Sequence, residues 1–129
     1  MTASPAAINF KLYPHATFDE VVTLQDSLAA PLNLSGKTAR CEMRREHQSE
    51  APVFTLTTEN GGIELGGALG TVRLTLSAAA TGALSFDALG EMLYYDVLLA
   101  SPAEDPDVVE RIFGGFVYVL PGVTLPAVP

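Results

Sequence analysis

Residues 55–84 read TLTTENGGIELGGALGTVRLTLSAAATGAL, and this stretch decides the fold class of the chain. Apolar and polar residues alternate over positions 71–76, which is the period-2 pattern of a half-buried strand. Shorter alternations over positions 54–57 and 63–65 predict two further strands. The sequence NGG at 60–62 predicts a tight turn between them, because Asn and Gly adopt positive φ at little cost. The stretch therefore predicts consecutive short strands joined by glycine turns.

A short helical turn is predicted directly after the strand at 71–76. Ser77 is placed to cap the first turn of residues 78–80, because a serine side chain accepts hydrogen bonds from free N–H groups at a helix start. Gly82 is placed to end the turn as a left-handed C′ residue. A turn this short depends on tertiary packing, so we expect it to plug one end of a β-sandwich.

The rest of the chain shows similar alternation and no amphipathic helix of useful length. The further predicted strands cover residues 8–13, 17–25, 37–45, 92–100 and 108–119. We expect the last of these to bend at Gly114-Gly115, and residues 101–107, with two prolines, to form an exposed hairpin loop. The sequence thus predicts an all-β, antiparallel β-sandwich of about seven to eight strands with one short helical turn.

A chain of 129 residues corresponds to about one domain. We expect a flexible N-terminal arm over residues 1–7, the sandwich over 8–120 and an extended, proline-rich tail over 121–129. The longest apolar run, residues 112–123, is too short and too interrupted by glycine and proline to span a bilayer. The N-terminal residues show no secretory signal pattern, so the expectation is a cytoplasmic product.

The single cysteine and the net charge each limit the possible functions. Cys41 has no partner cysteine for an internal disulfide, and it shares one side of its predicted strand with Ala39 and Met43, so we expect a small core residue. The net charge of −8 opposes phosphate, so nucleic acid is not an expected partner.

Patterns that carry catalysis or metal binding are weak in this sequence. His15 and His47 occur in separate predicted loops without the spacing of metal ligands. The glycines match neither a nucleophile elbow nor a nucleotide-binding loop. Glu104, Asp105 and Asp107 lack the regular spacing of a calcium loop. We therefore expect no catalytic residue, no cofactor and no metal site, and a protein that is not an enzyme.

Four of the seven positive charges lie within nine residues of an otherwise acidic chain, and we call them the basic strip: Lys37, Arg40, Arg44 and Arg45. Strand alternation places Arg40 and Arg44 on the outward face with Glu42 between them. One interpretation is a solvated face whose cross-strand ion pairs each contribute little. The other is a protein-interaction strip that meets the acidic region of another subunit and fixes its orientation.

The order and spacing of four segments resemble the small immunoglobulin-like domains encoded among the tail genes of tailed bacteriophages and prophages. The segments are LSGKTAR at 34–40, GGIELGGALGTVRLTLS at 61–77, YDVLL at 95–99 and GFVYVLPGVT at 115–124. The pattern is also similar to the N-terminal domain of the siphophage baseplate upper protein. The resemblance covers residues 17–124, nearly the whole chain.

This resemblance implies an immunoglobulin-like β-sandwich that serves as a non-enzymatic structural component of a tail tip or baseplate. Its implied partners are other tail or baseplate subunits, with homo-oligomerisation inside the assembly. Its implied location is the virion tail, after assembly in the host bacterial cytoplasm. In the baseplate upper protein a helical linker and another domain follow, whereas this sequence ends at Pro129, so we expect a small adaptor or accessory subunit.

Two other functions stay open at the level of sequence. A capsid decoration or head–tail completion protein would differ from a tail component in its copy number per particle. A module for host-surface polysaccharide would use Tyr94, Tyr118 and outward acids, and saturable oligosaccharide binding would identify it.

Overall fold

The computed structural model describes residues 6–45, 51–83, 91–102 and 105–120. Within these ranges the chain forms β-strands in two sheets, one short helix and one 3₁₀ turn at Gly67–Leu69. The strands are β1 Ala6–Ala7, β2 Phe10–Leu12, β3 Phe18–Thr23, β4 Thr38–Arg44, β5 Phe54–Thr57, β6 Ile63–Leu65, β7 Thr71–Leu76, β8 Glu91–Ser101 and β9 Asp105–Val119. The helix is α1, Ala78–Gly82.

The larger sheet has the order β1-β9-β8-β4-β5, with β2 also paired to β9, and the smaller sheet has the order β3-β7-β6. Strands β4, β8 and β9 in one sheet and β3, β7 and β6 in the other reproduce the immunoglobulin arrangement. The predicted all-β immunoglobulin-like sandwich is therefore confirmed. Two pairings depart from the antiparallel prediction, because β1 and β2 both run parallel to β9.

The core lies between the two sheets and comes from the inward positions of both. Tyr95, Val97 and Leu99 alternate into it along β8, while their neighbours are only partly buried. Cys41 is fully buried, and this burial raises the pKa of its thiol, so the expected small core residue is confirmed. The two sheets are joined by apolar contacts across the whole interior.

Strands β1 and β2 form one edge strand that is interrupted for two residues. Their register on β9 is continuous, since Ala7 lies beside Gly114 and Phe10 lies beside Val117. At the interruption the Ile8 N–H donates to the Gly114 carbonyl at 2.9 Å, and the Asn9 side chain accepts from the Phe116 N–H at 3.0 Å. The paired region thus begins at Ala6, two residues before the predicted start of the domain.

Gly115 allows this edge to pack closely. A Cβ at this position would collide with the carbonyl oxygen of Ile8. The Tyr95 hydroxyl donates to the same carbonyl at 2.6 Å, and burial of the ring raises the pKa of Tyr95. The N-terminal strand is therefore attached to the sandwich by side chains as well as by the ladder.

The hairpin between β8 and β9 corrects two predictions. The expected loop at 101–107 is shorter, because β8 continues to Ser101 and pairs there with Asp105 of β9. The next ladder pair is Ala100 with Val109, so Pro106 is not a ladder partner and its missing N–H is tolerated. The β8–β9 ladder has two register shifts, one at Ile112, an extra residue between Arg111 and Phe113, and one between Ala100 and Ser101, and neither lies at Gly114-Gly115.

The predicted start of the helical turn is confirmed, and its predicted end is wrong. The Ser77 hydroxyl accepts from the Ala80 N–H at 3.1 Å, as expected for an N-cap. Gly82 is the last helical residue, and the helix ends at Ala83 in a right-handed conformation, so Gly82 is not a left-handed C′ residue. A Cβ at Gly82 would lie 2.5 Å from Nδ1 of His15, so a larger residue here would require the exposed His15 side chain to move.

Candidate interaction surface

The basic strip is centred on β4, and the structure places its four residues differently. Arg40 and Arg44 lie on the outward face of the larger sheet, as predicted. Lys37 lies just before β4 and its Nζ donates to the Ser101 hydroxyl at 2.7 Å. Arg45 lies just after β4 and is exposed. The strand therefore brings two of the four residues together on its outward face.

Glu42 bridges these two arginines. One of its carboxylate oxygens lies 3.1 Å from a guanidinium nitrogen of Arg40, and the other lies 2.9 Å from one of Arg44. The hydrogen bond from Arg44, followed by that from Arg40, lowers the pKa of Glu42 below its usual value. Arg40 is 56% exposed, so its pair with Glu42 contributes little to stability, whereas the pair of Glu42 with Arg44 is partly buried.

Strand pairing adds further charges to the same face. Asp96 of β8 lies directly opposite Glu42, a like-charge pair that would be unfavourable alone. Arg111 of β9 compensates, with its Nε 2.7 Å from a carboxylate oxygen of Asp96. Lys11 of β2 lies beside Tyr118, is exposed and points the same way. The outward side of the larger sheet thus combines charges from four strands.

We call this surface the basic face, defined by four cations and two carboxylates: Lys11, Arg40, Arg44, Arg111, Glu42 and Asp96. Its net charge is +2. The rest of the sequence holds the other three cations and thirteen acids, a net of −10, which together with the face gives −8. The fold therefore separates charge far more strongly than the sequence order indicates.

Three aromatic rings continue the basic face toward one end of the sheet, and we call them the aromatic cluster: Tyr94, Phe116 and Tyr118. The ring centroids of Tyr94 and Phe116 are 5.4 Å apart, and those of Phe116 and Tyr118 are 6.2 Å apart. Tyr118 is 40% exposed, and Tyr94 lies opposite Arg44 in the ladder. Apolar ring surface and guanidinium groups thus border each other.

The outward side of the smaller sheet has a different composition. Arg73 of β7 makes a bidentate pair with Asp19 of β3, at 2.9 and 2.7 Å, and lies 4.0 Å from Glu64 of β6. The hydrogen bond from Arg73 lowers the pKa of Asp19. Val21 is 57% exposed beside this pair. This surface carries one cation and two acids, and its cation is engaged on both sides.

Two observations on the described ranges concern metal binding and ionisable groups. They hold no group of three His, Cys, Asp or Glu side chains that could bind a metal ion. Burial raises the pKa of both Cys41 and Tyr95, so neither is ionised at neutral pH. His47 and the acidic side chains at 104, 105 and 107 lie outside the described residues. In the part of the chain that is described, no helix is both long and apolar enough for a membrane span.

Sequence reasoning missed the cations Lys11 and Arg111, and of the aromatic cluster it named Tyr94 and Tyr118 but not Phe116. The alternation around Lys11 already placed it outward, between the buried Phe10 and Leu12. Arg111 sits next to the bulge at Ile112, which alternation alone does not place. In both cases the missing information was the strand order, which determines which outward positions share a face.

Comparison with known proteins adds no relative: neither a scan against protein-family models nor a search of curated proteins finds a match to this chain.

Proposed function

We propose that this protein is a non-enzymatic structural subunit of a phage or prophage tail tip or baseplate, where it acts as an adaptor or accessory subunit through protein–protein contacts. The family proposal rests on the sequence resemblance over residues 17–124. The observation that carries the contact role is the basic face, which gathers Arg40, Arg44 and Arg111 on the sheet surface that also carries the half-buried Tyr94 and Phe116 and the exposed Tyr118.

Arginine and tyrosine are enriched at protein interfaces and dominate their binding energy. A surface that combines both, on a rigid sheet, suits an adaptor that must fix a neighbour's orientation. The partners proposed are other tail or baseplate subunits, with several copies of the chain in one assembly. The location proposed is the virion tail, after assembly in the bacterial cytoplasm.

Quantitative mass spectrometry of purified particles from an induced lysogen, combined with immunogold labelling of this chain, tests the proposal. We expect a few to a dozen copies per particle, in line with tail symmetry, and gold at the tail end. Hundreds of copies on the head would replace the proposal with capsid decoration. Absence of the chain from particles would overturn it altogether.

The aromatic cluster favours one alternative, a module that binds host-surface polysaccharide. Tyr118 offers an exposed ring for stacking against a sugar, and Asp96 offers a hydrogen-bond acceptor on the same face. Saturable binding of host oligosaccharides by the purified chain, lost in Tyr118→Ala, would support this alternative. A flat titration would remove it.

A further inference from the structure

We infer that the basic face binds a carboxylate-rich surface of a different protein chain, and that the negative charge of Glu42 weakens this binding. This inference deepens the proposed function, on which it rests, by naming the chemistry of the partner. It also assigns Glu42 a role in tuning affinity rather than in holding the fold together.

The geometry leaves Arg40 and Arg111 capacity for a second carboxylate. Among the described residues, Arg40 makes one hydrogen bond, to Glu42, and Arg111 makes one, to Asp96. A guanidinium has five N–H donors, so each of the two side chains can donate to another carboxylate while keeping its present bond. Their side chains are 56% and 52% exposed, which gives a partner direct access.

Charge complementarity selects the class of partner. Two copies of the chain joined symmetrically through this face would bring +2 against +2, so this face is unsuited to a twofold dimer. Nucleic acid would be attracted by the face and repelled by the −10 carried on the rest of the chain. An acidic protein surface that contacts only the basic face is attracted by it and avoids repulsion from the acidic rest of the chain. Its apolar side chains can pack on Phe116 and Tyr118.

Substitution of Glu42 should change the affinity for the partner and the stability of the fold in opposite directions. Replacing Glu42 with Gln removes two ion pairs, so the fold should become slightly less stable. The same change removes a negative charge roughly 6 Å from a carboxylate bound at Arg40, so affinity should rise about threefold. A residue that only stabilises the fold would not produce this opposition.

The experiment is a titration of the ¹⁵N-labelled full chain with a deca-glutamate peptide at low ionic strength, followed by NMR. We expect shifts confined to the basic face and aromatic cluster, affinity about threefold tighter in Glu42→Gln, and about tenfold weaker in Arg40→Glu, which changes the local charge by two. The matched control is Arg73→Glu on the smaller sheet, which should leave affinity unchanged. Salt at 0.3 M should suppress the binding.

Shifts scattered over the surface, or equal losses in Arg40→Glu and Arg73→Glu, would overturn the inference. So would tighter binding of a DNA oligonucleotide of matched charge to the same residues. Concentration-dependent shifts of the face without peptide would make the occupant a second copy and overturn the choice of a different chain. None of these results depends on whether the chain is found in particles, so the inference and the proposed function can fail separately.

Discussion

The outward surfaces of the two sheets show how the same fold produces two kinds of exterior. On the larger sheet three guanidiniums share two carboxylates, and Lys11 adds a further positive charge. On the smaller sheet one guanidinium, that of Arg73, is held by Asp19 and lies near Glu64. The first surface has a net positive charge, whereas on the second the single guanidinium is paired with carboxylates. This difference supports the proposal that the larger sheet carries the contact surface.

The largest expected effects concern the core, where the two sheets should behave alike. Leu93 of β8 and Leu74 of β7 are both fully buried. Leu93→Ala and Leu74→Ala should each reduce the free energy of unfolding by about 2–5 kcal/mol, through lost burial and a cavity. Urea unfolding of both variants is the measurement. If one variant lost almost nothing, the two sheets would not share a single core.

The next effect distinguishes the larger sheet, which alone carries the N-terminal strand. Tyr95→Phe removes the hydrogen bond to the Ile8 carbonyl and should cost about 1 kcal/mol. Hydrogen exchange should accelerate at the Ile8 amide, whose partner is Gly114, more than in β7. Tyr118→Phe, at an exposed ring, is the control and should leave both quantities unchanged. Uniform acceleration across both sheets would show that the strand has no separate attachment.

A charge reversal on the basic face should affect assembly more than folding. Arg40→Glu combined with Arg44→Glu should change the free energy of unfolding by less than about 1 kcal/mol, because the side chains are at or near the surface. The same double variant should reduce incorporation into particles, whereas Arg73→Glu should not. A large loss of stability with normal incorporation would reverse the roles that we give to the two surfaces.

The smallest expected effect is the pH dependence of folding stability that comes from two carboxylates paired with arginines. The folded-state pKa values of Glu42 and Asp19 are lowered, so their stabilising contribution is present above the unfolded pKa and is lost as the pH falls below about 4. Urea midpoints of the wild type should therefore approach those of Glu42→Gln and Asp19→Asn between pH 7 and pH 3. A gap that widened toward low pH would contradict the sign of both shifts.

Local patterns predicted the parts of the fold that depend on neighbours in sequence. The alternation at 71–76 gave β7 with the bounds that the structure shows, and Ser77 was correctly identified as the N-cap. The turn at Asn60 also followed prediction, since its side chain accepts from the N–H groups of Thr57 and Gly62. Each of these features is determined within a few residues of chain.

The features that were wrong or missed depend on contacts between distant residues. Gly82 lies against the side chain of His15, which is 67 positions earlier in the chain, and no local pattern records that contact. The basic face needs β2, β4, β8 and β9 to be neighbours, which follows from strand order and not from alternation. The candidate surface could therefore be predicted only as far as its residues on β4.

The parallel pairing of β1 and β2 with β9 determines how the domain responds to a pulling force along the chain. Ala6 lies beside Phe113 and Leu12 lies beside Val119, so the chain enters at one end of this ladder and leaves at Leu120, at the other. At about 3.3 Å per residue, the entry and exit points are roughly 23 Å apart along the strands. A pull between Ala6 and Leu120 shears the ladder and loads its hydrogen bonds together, instead of opening them one at a time. The domain is therefore arranged to resist stretching along its own chain direction.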